Sequence, residues 1–220
     1  MNNRRIWFRL GGVLAAAAVC TGGAAVVSDR AQKAKNVQRA FLGAMETQMQ
    51  IGCYPSETGS PADLTERERT ELQTAYTSRV EQYYTEENPC RKRYIALNED
   101  FLTACDSDVE YSESGGVADC RFDSVRLYAD RMTAVVQAQT VVWDKRISGN
   151  PEQGFSVELP VNRDTITATM KKENGVWKLD SIDSQISLSA AVSADDEVCR
   201  ERYPTFETAR QAADSIDDQA

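Results

Sequence analysis

Apolar positions along this chain follow a helical period first and an alternating period later. In the segment that begins at residue 62, Leu72, Tyr76 and Val80 recur every four residues, which is typical of an amphipathic helix. After residue 109 apolar and polar residues alternate instead, as in FSVELPV and TITATMKK, which indicates strands with one buried face. Helices first and strands later predict an α+β fold, in which a curved antiparallel sheet packs on a helical hairpin.

Local signals mark where these elements begin and end. Thr65 and Glu68 have the spacing of a capping box, so we expect a helix to begin there. The Asn-Pro pair at 88–89 should end that helix and start a second one. The Asn-Gly pair at 174–175 is the dipeptide that a type I′ turn favours, and it predicts a hairpin between two strands.

The N-terminal region contains a long stretch without charge. Residues 1–9 hold three arginines and no acid, and residues 10–27 are apolar apart from Thr21. As a helix the second segment would be about 27 Å long, close to the thickness of a bilayer's hydrocarbon core. The positive-inside rule then predicts a cytoplasmic tail over 1–9, a single-pass transmembrane anchor over 10–27 and an extracytoplasmic remainder.

Two alternatives to an anchor lead to the same side of the membrane. The segment could be a cleaved signal peptide, in which case the protein is secreted. It could also be the signal of a lipoprotein that is lipidated at Cys20, although Val19 is a poor residue for the position before a lipidated cysteine. All three interpretations export the rest of the chain.

The exported part divides into three regions in this interpretation. Residues 28–61 are predicted to form a helical stalk that continues the anchor, followed by a linker rich in Gly and Pro. Residues 62–190 form the α+β domain. Residues 191–220 form an acidic C-terminal tail, in which TFETARQAADSIDDQA is predicted to be a loosely docked helix that frays towards its end.

Composition excludes several classes of function. The 220 residues carry a net charge of −9, which argues against a nucleic-acid partner. The chain contains no His, which excludes a His-based catalytic triad, an imidazole general base and a His-ligated metal. Motifs for a Ser nucleophile are also missing from the sequence. An acidic stretch after residue 105 lacks the residue order of a calcium-binding loop. Because all of these motifs are missing from the sequence, we expect no catalytic residue, metal or cofactor.

Five cysteines lie in the predicted exported region, where thiols tend to pair. Cys105 and Cys120 flank an acidic segment and form one possible local disulfide. Cys53 before the main domain and Cys199 after it could tie its two ends together. The sequence leaves the connectivity open, with free buried thiols as the alternative.

The segments TSRVEQYYTEENPCRKRYIALNEDF and TITATMKKENGVWKLDSI resemble the NTF2-like (SnoaL-like) superfamily. The resemblance is to its membrane-anchored form, which includes Mce-associated proteins and assembly components of type IV secretion machines. It implies a cone-like domain with a pocket between the sheet and the helices. Four aromatic residues are candidates for this pocket or for an interface, with ordinary core packing as the alternative: Tyr94, Phe101, Trp143 and Trp177.

We therefore predict a non-catalytic, membrane-anchored extracytoplasmic domain that acts in protein–protein interaction or assembly at a bacterial cell envelope. Its partner would be another protein or a second copy of the chain. One alternative is a binding module that holds a small apolar ligand in the cone pocket, which predicts an open apolar cavity. A further alternative is an NTF2-like enzyme with carboxylate chemistry, which predicts a buried acid with a raised pKa facing that cavity.

Overall fold

The computed structural model describes residues 29–53, 64–103, 111–187 and 201–217, which form four helices and one five-stranded sheet. In chain order the elements are α1 (29–49), α2 (Glu66–Tyr83), α3 (Pro89–Thr103), β1 (Tyr111–Leu127), β2 (Thr133–Asn150), β3 (Gly154–Glu158), β4 (Val161–Glu173), β5 (Val176–Ser187) and α4 (Phe206–Asp217). The predicted α+β class is confirmed.

The sheet is antiparallel throughout, with the order β1-β2-β4-β5 and with β3 also paired to β2. β3 and β4 pair with β2 in one continuous register. Arg146 of β2 lies opposite Glu158 of β3, and moving back along β2 to Trp143 moves forward by the same number of residues to Val161 of β4. The interruption between them falls at Pro160, which has no backbone N–H to give to the ladder. Its carbonyl oxygen still accepts a bond from the Asp144 N–H at 3.2 Å.

The predicted turn and cap signals form as expected. The Thr65 hydroxyl accepts a bond from the Glu68 N–H, and the Glu68 carboxylate accepts one from the Thr65 N–H, which completes the capping box. Asn174 and Gly175 have φ angles of 51° and 86°, the left-handed values that a type I′ turn requires. α3 begins at Pro89 as predicted, but α2 already ends at Tyr83, where Tyr84 takes an extended conformation, so the Asn-Pro pair starts the second helix without ending the first.

The main core lies between the sheet and the first three helices. Alternate residues of β2 and β4 are buried as predicted, and Phe41 of α1 and Val80 of α2 pack in the same cluster. The strand residues of this cluster include Ala134, Val136, Ala138, Ile166, Ala168, Met170 and Leu179. Apolar side chains of this kind stabilise a fold by about 1.5–3 kcal/mol each when they are fully buried.

The helix expected to be a stalk is part of this core. Val37 and Phe41 are fully buried, and the Phe41 ring packs edge-on against Phe122 of β1 with 5.8 Å between centroids. The sequence shows that α1 has one apolar face, but periodicity does not say what covers it. Over its described residues, the segment expected to be a stalk is therefore a core helix, while residues 54–61 lie outside the described residues.

A second, smaller core forms where α4 packs on β3 and the end of β2. Ala209 and Ala213 of α4 are fully buried against Ile147 and Val157. Near this end of β2 the buried residues are the odd-numbered ones, whereas earlier in the strand they are the even-numbered ones. Lys145 is therefore buried, and its Nζ donates to the Ala213 carbonyl oxygen at 3.2 Å. The helix predicted in the acidic tail is therefore present, and it docks because its alanine face fits this strand end.

Across the described ranges, no helix has both the length and the apolar character needed to cross a bilayer. The predicted anchor, residues 10–27, lies outside them.

Candidate functional site

A cavity of about 360 Å³ lies between the helical hairpin, the C-terminal end of α1 and the start of β1. α2 contributes Tyr76 and Arg79, which are one turn apart and therefore share a side of that helix. α3 contributes Asn98 and Leu102 through the same kind of spacing, and β1 contributes Ser114. The cavity is therefore built by residues far apart in the sequence.

The approach of β1 to α1 depends on a glycine beside this cavity. A Cβ added at Gly115 would lie 2.4 Å from the Met49 carbonyl oxygen, so only glycine fits there. A Ser-Gly-Gly sequence such as the one at residues 114–116 is typical of a turn, but these residues lie inside β1. Gly115 in the Ser-Gly-Gly sequence allows the backbone of β1 to approach the backbone at Met49 closely, and it does not form a turn.

Two hydroxyl groups that line the cavity are buried without a hydrogen-bond partner among the described residues. They are Tyr76 Oη and Ser114 Oγ. Burial, with a smaller contribution from nearby Tyr94, raises the pKa of Tyr76, so its hydroxyl is a neutral donor. A buried hydroxyl without a partner costs free energy, and a water molecule or a polar ligand atom would remove that cost.

Cys53 also lines the cavity, with its thiol donating to the Met49 carbonyl oxygen at 3.3 Å. Burial is the main cause that raises the pKa of this thiol to about 12, and the Asp144 carboxylate raises it further while Arg146 opposes the shift. The thiol is therefore protonated at neutral pH. A protonated thiol is a weak nucleophile, so the arrangement does not favour Cys53 chemistry.

The other polar side chains around the cavity bind neighbouring elements to one another. Arg79 Nη1 donates to Gln50 Oε1. Asn98 Nδ2 donates to Gln73 Oε1 at 2.9 Å, and Asn98 Oδ1 accepts from the Gly52 N–H at 3.4 Å. These bonds join the end of α1 to α2 and α3, so they hold the cavity walls in place.

The enzyme alternative predicts a buried acid with a raised pKa that faces the cavity, but the described residues that line this cavity include no Asp or Glu. Burial raises the pKa of Asp164, and its Oδ1 atom has no partner in the described part of the chain. Asp164 pairs in register with Thr140 on the sheet and does not line this cavity. Asp144 is buried and forms an ion pair with Arg146, close enough to Cys53 to affect its thiol.

Three of the predicted aromatic residues, Tyr94, Trp143 and Trp177, do not line the 360 Å³ cavity. Tyr94 packs edge-on against Tyr84 at 5.5 Å between centroids, and Trp177 is buried in the main core. Trp143 lies opposite Gly116 on β1, with its Nε1 3.3 Å from the position of a Cβ there. Phe101 is on α3, and its side chain lies outside what the structure describes.

The disulfide predictions stay predictions. Cys53, Cys90 and Cys120 carry free thiols. Cys105 and Cys199, the partners predicted for Cys120 and Cys53, lie outside the described residues.

A second candidate surface is the side of the sheet that faces away from the main core. We call it the outer face and define it by the exposed or half-exposed residues of the two central strands: Val135, Gln137, Gln139, Val141, Thr165, Thr167 and Thr169. None of these side chains is charged. The neighbouring strands carry charges in the same rows, including Arg121, Arg126 and Asp183, so the outer face has an uncharged centre and a charged rim.

Sequence reasoning missed the residues that shape the cavity and the outer face. The sequence places Tyr76 on an apolar stripe, but its unpaired hydroxyl follows only from the position of β1. The uncharged residues of β2 and β4 were visible as the outward half of each alternation. Their register across the sheet was the missing information.

Comparison with known proteins gives one distant similarity. No family model and no curated protein matches the chain. Among solved structures, the chain has a distant match to the crystal structure of the intermembrane space region of chloroplast protein ARC6, with 12% identity and a TM-score of 0.45, covering 70% of this chain and 97% of that one.

Proposed function

We propose that this protein is a non-catalytic, single-pass membrane-anchored extracytoplasmic domain that binds a protein partner, or a second copy of itself, through the outer face. The outer face is the observation that carries the proposal. The anchor, the bacterial envelope location and the NTF2-like resemblance rest on the sequence.

The outer face has the composition of an interface centre. Charged residues are depleted at the centre of protein interfaces and common at their rims. In this chain 27% of residues are charged, yet none lies on the outward positions of β2 and β4 between Val135 and Val141 and between Thr165 and Thr169.

The polar groups at the border of the outer face are already ordered. Ser124 Oγ donates to Gln137 Oε1 at 2.9 Å, and Gln139 Nε2 donates to Asp123 Oδ2 at 3.3 Å. Side chains held in this way lose less conformational entropy when a partner binds. The outer face is therefore preorganised on a rigid sheet.

The test uses the full-length protein, purified from native membranes in mild detergent, with its mass and co-purifying subunits measured. Thr167→Arg places a charge at the centre of the outer face, and Thr74→Arg makes the same change on the exposed side of α2. We expect Thr167→Arg to lose the stoichiometric partner or the oligomer, because an unpaired charge is costly to bury, while Thr74→Arg keeps it.

A wild-type protein that is monomeric and alone would contradict the proposal. So would a Thr167→Arg variant that keeps its partner as well as the wild type does.

A second candidate function is a binding module for a small ligand in the 360 Å³ cavity, favoured by the two unpaired hydroxyls of Tyr76 and Ser114. Ligand sites of this size are largely apolar with a few convergent polar groups. A suitable ligand would have an apolar body and one polar group. Native mass spectrometry of the purified wild type should then show a bound small molecule that is lost when Ala75→Trp fills the cavity, and an empty wild type would exclude this function.

A further inference from the structure

A groove of about 1330 Å³ lies at the N-terminal end of α1. Its walls are the first turns of α1, the turn between β1 and β2, and the ends of β4 and β5 near their hairpin. Five of its lining residues are cationic: Arg30, Lys33, Arg126, Arg131 and Lys172. The whole chain has a net charge of −9, so this groove reverses the sign of the protein as a whole.

Acidic residues offset only part of this charge. Asp29 lines the groove and forms an ion pair with Lys33 at 2.5 Å. Asp130 lies in the turn between β1 and β2, where its carboxylate accepts bonds from the N–H groups of Met132 and Thr133. Arg30, Arg126 and Arg131 form no ion pair within the part of the chain that the structure describes.

Exposed apolar side chains accompany these cations. Tyr128 and Met132 line the groove with 48% of their surface exposed, and Val176 beside it is 51% exposed. Lys172 Nζ lies 6.0 Å above the ring of Trp177, so its charge sits over an aromatic face. Basic residues mixed with aromatic and aliphatic ones are typical of surfaces that lie in the headgroup region of a bilayer.

The groove is also close to the predicted anchor. α1 is described from Asp29, two residues after the end of the predicted anchor at Val27. An extended chain covers about 3.5 Å per residue, so the anchor's end lies within roughly 7 Å of the groove wall. This distance is within the range over which surface charges act at physiological salt.

We propose that this groove binds the anionic phospholipid headgroups of the membrane that holds residues 10–27. The inference rests on the anchor in the proposed function. It adds an occupant for the groove and fixes which end of the domain faces the bilayer. Each Lys or Arg near an anionic surface contributes to the attraction, so the excess of cations in the groove that remains after the Asp29–Lys33 pair favours the orientation in which this end of the domain faces the bilayer.

The test places the full-length chain in nanodiscs made of phosphatidylcholine alone, or of phosphatidylcholine with phosphatidylglycerol. A photoreactive benzophenone amino acid replaces Met132 in the groove, or Glu152 in the turn between β2 and β3 as the control position. Mass spectrometry then measures the yield of lipid adducts. We expect adducts from position 132 to rise about fivefold or more with phosphatidylglycerol and to fall at high salt, and position 152 to give few under any condition.

Charge reversal separates the groove from a general effect of charge. Arg126→Glu with Arg131→Glu should remove the rise in adducts with phosphatidylglycerol. Arg67→Glu with Arg202→Glu is the matched control, since it makes the same change in net charge at exposed sites outside the groove. The wild-type lipid and salt comparisons test the inference even if a variant misfolds.

The outcomes distinguish this inference from the proposed function. A protein that fails to insert and is released from membranes by carbonate would overturn the anchor itself. An inserted protein whose adducts at position 132 do not depend on phosphatidylglycerol or on salt would overturn the headgroup site while the anchor stands.

Discussion

The Tyr84 hydroxyl donates a hydrogen bond to the Ala44 carbonyl oxygen across 2.7 Å inside the main core. Both residues are almost fully buried, and they join the middle of α1 to the end of α2. This bond ties the helix nearest the predicted anchor directly to the α+β domain.

Tyr84→Phe removes this bond and keeps the ring. We expect the free energy of unfolding to fall by about 1–2 kcal/mol, because a buried carbonyl loses one of its donors. Urea unfolding of the purified protein measures the change. Tyr128→Phe, at an exposed position, is the control and should change stability by less than about 0.5 kcal/mol. Equal values for the two variants would contradict the role of the bond.

Phe41→Ala tests whether α1 unfolds together with the sheet. The ring is fully buried against Phe122, so we expect a loss of about 3–5 kcal/mol in one cooperative transition. The control is Arg39→Ala, on an exposed position of the same helix. A loss below about 1 kcal/mol for Phe41→Ala would restore the stalk that the sequence predicts.

Gly115→Ala tests the close approach of β1 to α1. The added Cβ would meet the Met49 backbone at 2.4 Å, so the two elements must move apart at a cost of about 1–3 kcal/mol. At Gly116 the nearest atom would be the Trp143 Nε1 at 3.3 Å. Thermal unfolding should therefore show a larger loss for Gly115→Ala than for Gly116→Ala, and the reverse order would refute this account.

Alkaline pH should destabilise the domain. Burial is the main cause that raises the pKa of Cys53 from 9.0 to about 12, and burial also raises the pKa values of Tyr76 and Tyr84. The folded state thus holds protons that the unfolded chain releases, so this stabilisation is complete below about pH 9 and is lost as pH rises towards 12. Urea unfolding at pH 7, 9 and 11 under reducing conditions measures the effect. Cys53→Ala should flatten part of the slope between pH 9 and 11, and an unchanged slope would show that Cys53 does not contribute.

The Asp164 carboxylate should make the folded domain more stable at acidic pH than at neutral pH. Burial raises the pKa of Asp164 above its usual 3.8, so its ionised form costs free energy in the folded state at neutral pH. Asp164→Asn should raise the free energy of unfolding at pH 7 and give no gain at pH 3, where the wild-type carboxyl is protonated in both states. Asp183→Asn, at an exposed position of β5, is the matched control and should show no such difference.

Much of the fold was predictable from short-range signals. The capping box at Thr65, the start of α3 at Pro89 and the hairpin at Asn174 each depend on signals within a few residues, and all three are confirmed, whereas the end of α2 at Tyr83 was not predicted. The buried positions of β4, and of β2 as far as Val142, followed from alternation, whereas the consecutive burial of Asp144 and Lys145 did not.

The candidate sites depend on contacts that local patterns do not encode. The partner of the α1 apolar face, the position of Gly115 under Met49 and the unpaired Tyr76 hydroxyl all follow from packing between distant segments. The basic groove is a further case, because its cations come from α1, β1, the turn after β1 and β4. Each of these elements is unremarkable in charge when it is read alone.

The burial of α1 has a mechanical consequence. A helix that is described from residue 29 and is buried in the main core at residue 37 leaves few residues between the predicted anchor and the sheet. If residues 10–27 span a bilayer, the packed helix α1 would transmit tension or torque on that segment to the strands, whereas a flexible linker would absorb it. The orientation of the outer face would then be set by the tilt of a single helix.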